Sequence, residues 1–225
     1  MNRLPGAVLR HLAALRALLV LTVICGIAYP LLVTGIAQAA FRNQADGSLI
    51  TNGKGQVVGS KLLCQEFVDA KGDPLAQYFQ PRPSNAIPSG ATVSDSKRDD
   101  YGCDPTQSGG SNQGPNSTTL LGNIDTYRNS VSAFDSVGGY TVTPQQVATD
   151  AVTASASGLD PAITVLNAQQ QEHRIAATRG ISVDQVDALV RRNTGGRDLG
   201  FLGEPGVNVL ELNLALDEQY PYTRP

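Results

Sequence analysis

"LRALLVLTVICGIAYPLLVTGIAQAAFRN", Leu15 to Asn43, decides the fold, because it is either cut away or kept as a membrane anchor. No charge interrupts it between Arg16 and Arg42. At about 1.5 Å of rise per residue such a run exceeds the roughly 30 Å hydrocarbon core of a bilayer. Ala37-Gln38-Ala39 has the small-x-small form of a cleavage site, but the apolar part of a signal peptide is shorter, about 7 to 15 residues. Tyr29-Pro30 and Gly35 suit a helix packed against other helices. The sequence therefore predicts a cytoplasmic N-terminus over 1–16, an uncut transmembrane helix over 17–40 and an exported domain over 41–225. Arg3, Arg10 and Arg16 precede the span, whereas Arg42 and Asp46 after it are mixed in sign, which sets that orientation. Ile24, ahead of Cys25, is not the small residue a lipoprotein site needs, so no lipid is expected there.

The chain after Arg42 is long enough for one compact domain with its own core. Net charge is only −3, aromatics are 5% and there is no Trp. Neither a basic nucleic-acid surface nor a base-stacking platform is indicated. Of three cysteines, Cys25 lies in the span, leaving Cys64 and Cys103 outside. In an oxidising compartment they form either a disulfide worth about 3 to 4 kcal/mol or two separate buried thiols. Their spacing carries no metal signature.

The domain reads as α+β. "QVVGSKLLCQEF" (56–67) predicts a strand or hairpin. Pro81 to Ser117 is rich in Pro, Gly, Ser, Asn and Asp, a long loop of the kind used for contacts when it is ordered. Leu120, Ile124, Tyr127, Val131 and Phe134 then share a helical face, capped by Asn116 or Ser117 and stopped by Gly138-Gly139. Thr143 to Gln146 has the form of a capping box opening a short helix toward Asp150. A third helix is predicted from Thr164 to Arg179, ending at Gly180, and a fourth starts at Ser182 to Gln185. "VNVLELNLAL" alternates Leu210, Leu212, Leu214 and Leu216, the pattern of a half-buried strand.

Catalytic constellations are missing from the sequence. His11 and His173 fall on opposite sides of the span, and there is no G-x-x-x-x-G-K-[ST] loop or G-x-S-x-G elbow. "SGGSNQGP" (108–115) is either a backbone anion cradle or a plain loop. A cell-envelope hydrolase using Ser155 or Ser157 lacks a base, and an anchored or secreted binding module is the other alternative.

Four segments, in this order, carry a resemblance: "GSKLLCQEF" with "YFQPRPSNA", then "SGGSNQGP", then "VTASASGLDPAIT" with "QEHRIAATRG", and finally "FLGEPGVNVLELNLALD". With the single N-terminal span, they resemble the KdpC family, the C subunits of the bacterial high-affinity potassium-transporting ATPase, over nearly the whole chain. The resemblance implies a plasma-membrane protein that is not the pump itself. Its implied partners are a channel-like potassium-translocating subunit, a P-type ATPase subunit, a small membrane subunit and the lipid bilayer. It also implies a catalytic-chaperone role that raises the ATP affinity of the ATPase subunit through the glutamine of a Gln-x-x-Arg segment, here Gln171, followed by Arg174 and Arg179. ATP is the ligand so implied, without a tightly bound cofactor, metal or catalytic residue. The charge bias, however, puts Gln171 outside and ATP inside.

Gln171 and Arg174, one turn apart, share a face that meets either a partner or the domain's own carbonyls. Candidate partner contacts are Gly26, Tyr29, Pro30 and Gly35 in the span, Ser111, Asn112, Gly114 and Pro115 in the glycine-rich loop, and Gly158, Asp160 and Pro161 in the "SGLDP" turn. Gly158 permits a positive-φ turn that Asp160 caps, so plain turn architecture is the alternative. Cys64, Gln113 and Ala156 depart from the family pattern, and "SDSKRDDYGCDP" lengthens a loop.

Overall fold

The computed structural model describes residues 5–86, 103–197 and 199–222; most of "SDSKRDDYGCDP" lies outside them. The chain divides into two units, Met1–Ser48 and Leu49–Pro225. In the first, α1 (Gly6–Ala40, 35 residues) is long and apolar enough to cross a membrane, and none of its residues is buried. Its length, about 50 Å, exceeds a bilayer core. Across Thr22–Ala28 the helix widens to a π turn, with the Tyr29 N–H reaching the Ile24 carbonyl. Pro30 explains the widening: it has no N–H to give, and its ring would press on the carbonyl four residues back. Gly26, Tyr29 and Pro30 lie on or beside this turn, while Gly35 falls about 140° round the helix from Pro30. A Cβ on Gly26 would meet only Thr22 Cγ2, at 3.8 Å, and one on Gly35 would meet nothing, so the chain's own packing requires neither glycine.

The second unit opens with a bulged antiparallel hairpin, β1 (Leu49–Thr51) and β2 (Val57–Ser60). Here the expected strand stops early. Ser60 accepts the Leu62 N–H through its hydroxyl and the Leu63 N–H through its carbonyl, turning the chain away. A second antiparallel sheet has the order β3-β5-β4, from β3 (Ala162–Thr164), β4 (Thr194–Gly195) and β5 (Gly206–Asn208). Four helices follow the cap signals: α2 (Thr118–Asp135) from Ser117, α3 (Val165–Arg179) between Thr164 and left-handed Gly180, α4 (Val183–Arg192) from the Ser182–Gln185 box, and α5 (Val209–Gln219) from Asn208. α2 ends at Asp135, before Gly138. The Thr143–Gln146 capping box is present but closes only a 3₁₀ turn, followed by another at Thr149–Ala151, in place of a helix.

The largest correction is α5, where the leucine alternation predicts a strand. Asn208 accepts the Glu211 N–H at 3.1 Å and starts a helix. Val209, Leu210, Leu212, Asn213 and Leu216 are then buried along one helical stripe, while Leu214, which the alternation would bury with them, is only partly covered.

Two apolar clusters result. Ile175, Ala176, Leu189, Val190, Val207, Leu212 and Leu216 join α3, α4, α5 and the sheet, while Val131, Val142, Val147 and Val152 join α2 to the 3₁₀ turns. Glu172 on α3 is an exception within this packing: it is 5% exposed and its Oε1 has no hydrogen-bond partner. Burial, then Asp187 of α4, push its carboxyl up to about 7, against a smaller downward pull from Arg191. An unfolded chain releases this proton near 4.5, so between pH 4.5 and 7 the folded state holds a proton the unfolded state lacks. Stability from this group therefore falls as pH rises through that window and is level above it, a change on the order of 2 to 3 kcal/mol. Glu172→Gln is expected to remove that part of the slope in urea unfolding at pH 5 and pH 8. A variant that follows the wild-type pH dependence contradicts the assignment.

Candidate functional site

α3 carries the residues singled out by the Gln-x-x-Arg resemblance, and its geometry begins with its caps. Thr164 accepts the Asn167 N–H at 3.1 Å, and Gly180 adopts φ 68° at the C-terminus. Between these caps Asn167, Gln170, Gln171 and Arg174 line a face adjoining the apolar Ala168, Ile175 and Ala176, and all seven are buried. Arg174 is 2% exposed, with its Nε 2.9 Å from Asp135 of α2, itself 1% exposed. Its guanidinium also donates to the Ala76 carbonyl, to Tyr78 O at 3.0 Å and to Gln171 Oε1 at 2.7 Å, and it lies 4.3 Å from the Phe134 ring centre. Gln170 donates to the other Asp135 oxygen at 2.7 Å and accepts the Ala148 N–H. Of the two alternatives for this face, the structure has the domain's own backbone and side chains.

Gln171 clasps one residue of extended chain, accepting from Gln80 N at 2.8 Å and donating to Gln80 O at 3.1 Å. Asn213 of α5 does the same to Phe79, at 2.9 Å both ways. Arg179 completes the series by donating to Gln77 O and Tyr220 O and pairing with Asp217, each at 2.8 Å. Tyr78 donates its phenol proton to Asp217 at 2.9 Å, and burial followed by that carboxylate raises its pKa. Gln171, Arg174 and Arg179 thus come together along segment 76–80. The cavity beside them, lined by Gln80, Asp135, Asn167 and Gln171, measures about 30 Å³. That is room for a water or two, whereas ligand pockets run to several hundred cubic ångströms.

Segment 76–80 leads into the second assembly, where three of the family-like motifs meet. Gly158 sits at φ 73°, and a Cβ there would come within 2.6 Å of Gly109 O and 2.8 Å of the Ala86 Cβ. Only glycine fits both the turn and the approach. Gly109 N donates to Ser157 O at 2.9 Å, and Ser84 Oγ to Gly158 O at 2.6 Å. Arg82 pairs with Asp160 at 2.8 Å and reaches Thr153 O, half out of solvent. Cys64 and Cys103 are joined in a disulfide with Cα atoms 6.1 Å apart, and Cys64 N donates to Leu159 O at 3.1 Å. A groove of about 490 Å³ opens over this junction, lined by Leu63, Arg82, Ser155, Ser157, Asp160 and Pro161.

Gly158, Asp160 and Pro161 are therefore at the junction. Ser111, Asn112, Gly114 and Pro115 lie beyond it, exposed on the way to α2. The glycines that hold the loop are Gly109 and Gly110, whose Cβ atoms would strike Asn85 O and Ala156 O. These two, with Arg82 and Ser84, lie within the family-like motifs, but their partners are distant in the chain, so no local signal marks them. Ser155 and Ser157 accept the Gly158 and Leu159 N–H groups, and His173 is stacked on Tyr140, so neither serine has an imidazole beside it. Among the described residues no three of His, Cys, Asp and Glu converge to hold a metal.

Comparison with known proteins agrees with this layout of motifs. The family described as KdpC, K+-transporting ATPase, c chain, matches residues 11–218. A potassium-transporting ATPase KdpC subunit of Mycobacterium tuberculosis is 45% identical over 206 residues, covering 92% of this chain and 96% of that one. One from Kineococcus radiotolerans is 47% identical over 204 residues, 91% of each chain, and one from Geobacter metallireducens is 45% identical over 208 residues, 92% and 97%. A match spanning both the apolar helix and all four motif segments at this identity shows that the chain belongs to the KdpC family.

Proposed function

We propose that the chain is the single-span accessory subunit of an ATP-driven potassium pump and stabilises the assembled complex without catalysing a step itself. The observation that carries this reading is α1, a 35-residue apolar helix long enough to cross a membrane, with no buried residue. Such a helix needs lipid or other helices around it, and Gly26, Tyr29, Pro30 and Gly35 supply small or irregular surface for the latter. The channel-like, P-type ATPase and small membrane subunits of the pump are the partners, in a bacterial plasma membrane. The disulfide and the arginines before the span support an N-terminus inside and the domain outside, because structural disulfides persist in oxidising compartments. The groove over Arg82 and Asp160, with exposed Ser111 to Pro115 running on from Gly110, which packs against Ala156, is the partner-facing surface in this reading.

The higher ATP affinity that KdpC-type subunits are held to confer then travels through the complex. Gln171 and Arg174 are enclosed by their own domain, and ATP is on the other side of the membrane. Their contribution is to hold segment 76–80, and with it the loop junction, in place.

Two outcomes are expected. Tagged chain drawn from native membranes should co-purify in equal amounts with two much larger membrane proteins, with an intact mass that includes α1. A mature product beginning at Ala40, or a chain that is monodisperse alone, contradicts the proposal. Gln171→Leu should lower the melting temperature of the chain and the yield of complex together, since it leaves the Gln80 backbone unpaired at about 1 to 3 kcal/mol. A changed KM for ATP at an unchanged melting temperature would instead place Gln171 at the nucleotide.

A further inference from the structure

The segment "FLGEPGVNVLELNLALD" divides into two parts with different fates. Val207, Val209, Leu212 and Leu216 are core. Phe201 and Leu202, at the tip between β4 and β5, are 68% and 50% exposed, and Leu199 just before them is 83% exposed. Three large apolar side chains within four residues are therefore left half to mostly exposed. Solvent-exposed apolar clusters of this kind mark interaction sites.

The tip is also built rather than loose. Gly200 N donates to Arg197 O at 3.1 Å, Arg197 pairs with Glu204 at 2.7 Å across the base, and Gly200 and Gly203 take φ 82° and 79°. Leu199 has φ 52°, a left-handed conformation in which its Cβ is disfavoured and which Asn or Gly adopts more readily. A leucine held there is strained and 83% exposed, and strained residues of this kind cluster at functional sites.

We propose that the Leu199–Leu202 tip is a preformed apolar anchor that inserts into an apolar notch with a neutral or basic rim on the extracytoplasmic face of a larger subunit of the same pump. This inference rests on the accessory-subunit reading above. Charge separates a protein notch from the lipid surface: with Arg197 paired to Glu204, and Asp198 between Arg197 and Leu199 in sequence, the tip has a net acidic balance. Interfacial anchors on anionic membranes carry lysine and arginine at this place.

The test replaces Phe201 with photoreactive benzoylphenylalanine in the full chain, expressed with the other pump subunits and irradiated in native membranes. The expected product is a covalent adduct with one larger membrane protein. An adduct of two copies of this chain, an adduct with lipid alone, or none at all overturns the proposal. In parallel, Leu199→Asn with Phe201→Ser should reduce recovery of the larger subunits about tenfold while the melting temperature of the purified chain is unchanged. Undiminished recovery overturns the anchor. Should the double variant unfold, Leu199→Asn alone keeps the test, because asparagine suits the left-handed position. If the unsubstituted chain recovers no larger subunit, the accessory-subunit reading itself fails.

Discussion

The ion pair between Arg174 and Asp135 is the interaction on which the domain depends. Two charges taken out of water cost several kcal/mol each, and the loss is offset only when the geometry is good and the remaining donors and acceptors are matched. That requirement recruits much of the structure. Asp135 needs Gln170, Arg174 needs the carbonyls of Ala76 and Tyr78 and the amide of Gln171, and Gln171 in turn fixes Gln80. Helix α2, helix α3 and the extended 76–80 chain are thereby set in one register. Apolar packing alone specifies such a register less sharply, since cores that keep their volume and pattern lose uniqueness before they lose stability.

The consequences run outward from that register. Segment 76–80 delivers Arg82 and Ser84 to the "SGLDP" turn, where close backbone approaches at Gly109, Gly110 and Gly158 lock the loops. The disulfide adds a covalent tie between Cys64, beside that turn, and Cys103. A domain made this way presents loops with fixed shape, which suits a subunit that binds partners by preformed surface. The buried polar residues are taken up by contacts within the domain, and the surfaces proposed for recognition are the loop groove and the β4–β5 tip.

How much of this is legible in the sequence depends on distance along the chain. Ser117, Thr164 and Ser182 act within four residues, and each marks its helix start as expected. "VNVLELNLAL" misleads because its leucines satisfy both a two-residue and a helical period; the deciding feature is Asn208, a cap signal hidden beneath a strong alternation. For Gln171 and Arg174 the sequence leaves a partner and the domain's own carbonyls as alternatives, because nothing nearby reveals that Gln170 and Arg174 meet Asp135, 35 and 39 residues back, or that Gln171 meets Gln80, 91 residues back. Family motifs locate the regions of the candidate site. They do not give its pairings, which are tertiary.

A double-mutant cycle on Arg174 and Asp135 tests the central claim most directly, read by urea unfolding of the detergent-solubilised chain. Arg174→Met and Asp135→Leu are each expected to cost about 3 to 5 kcal/mol, because each strands a buried charge, and the double variant should recover a large part of the sum. Single costs below about 1 kcal/mol that simply add would show that the pair does not organise the domain.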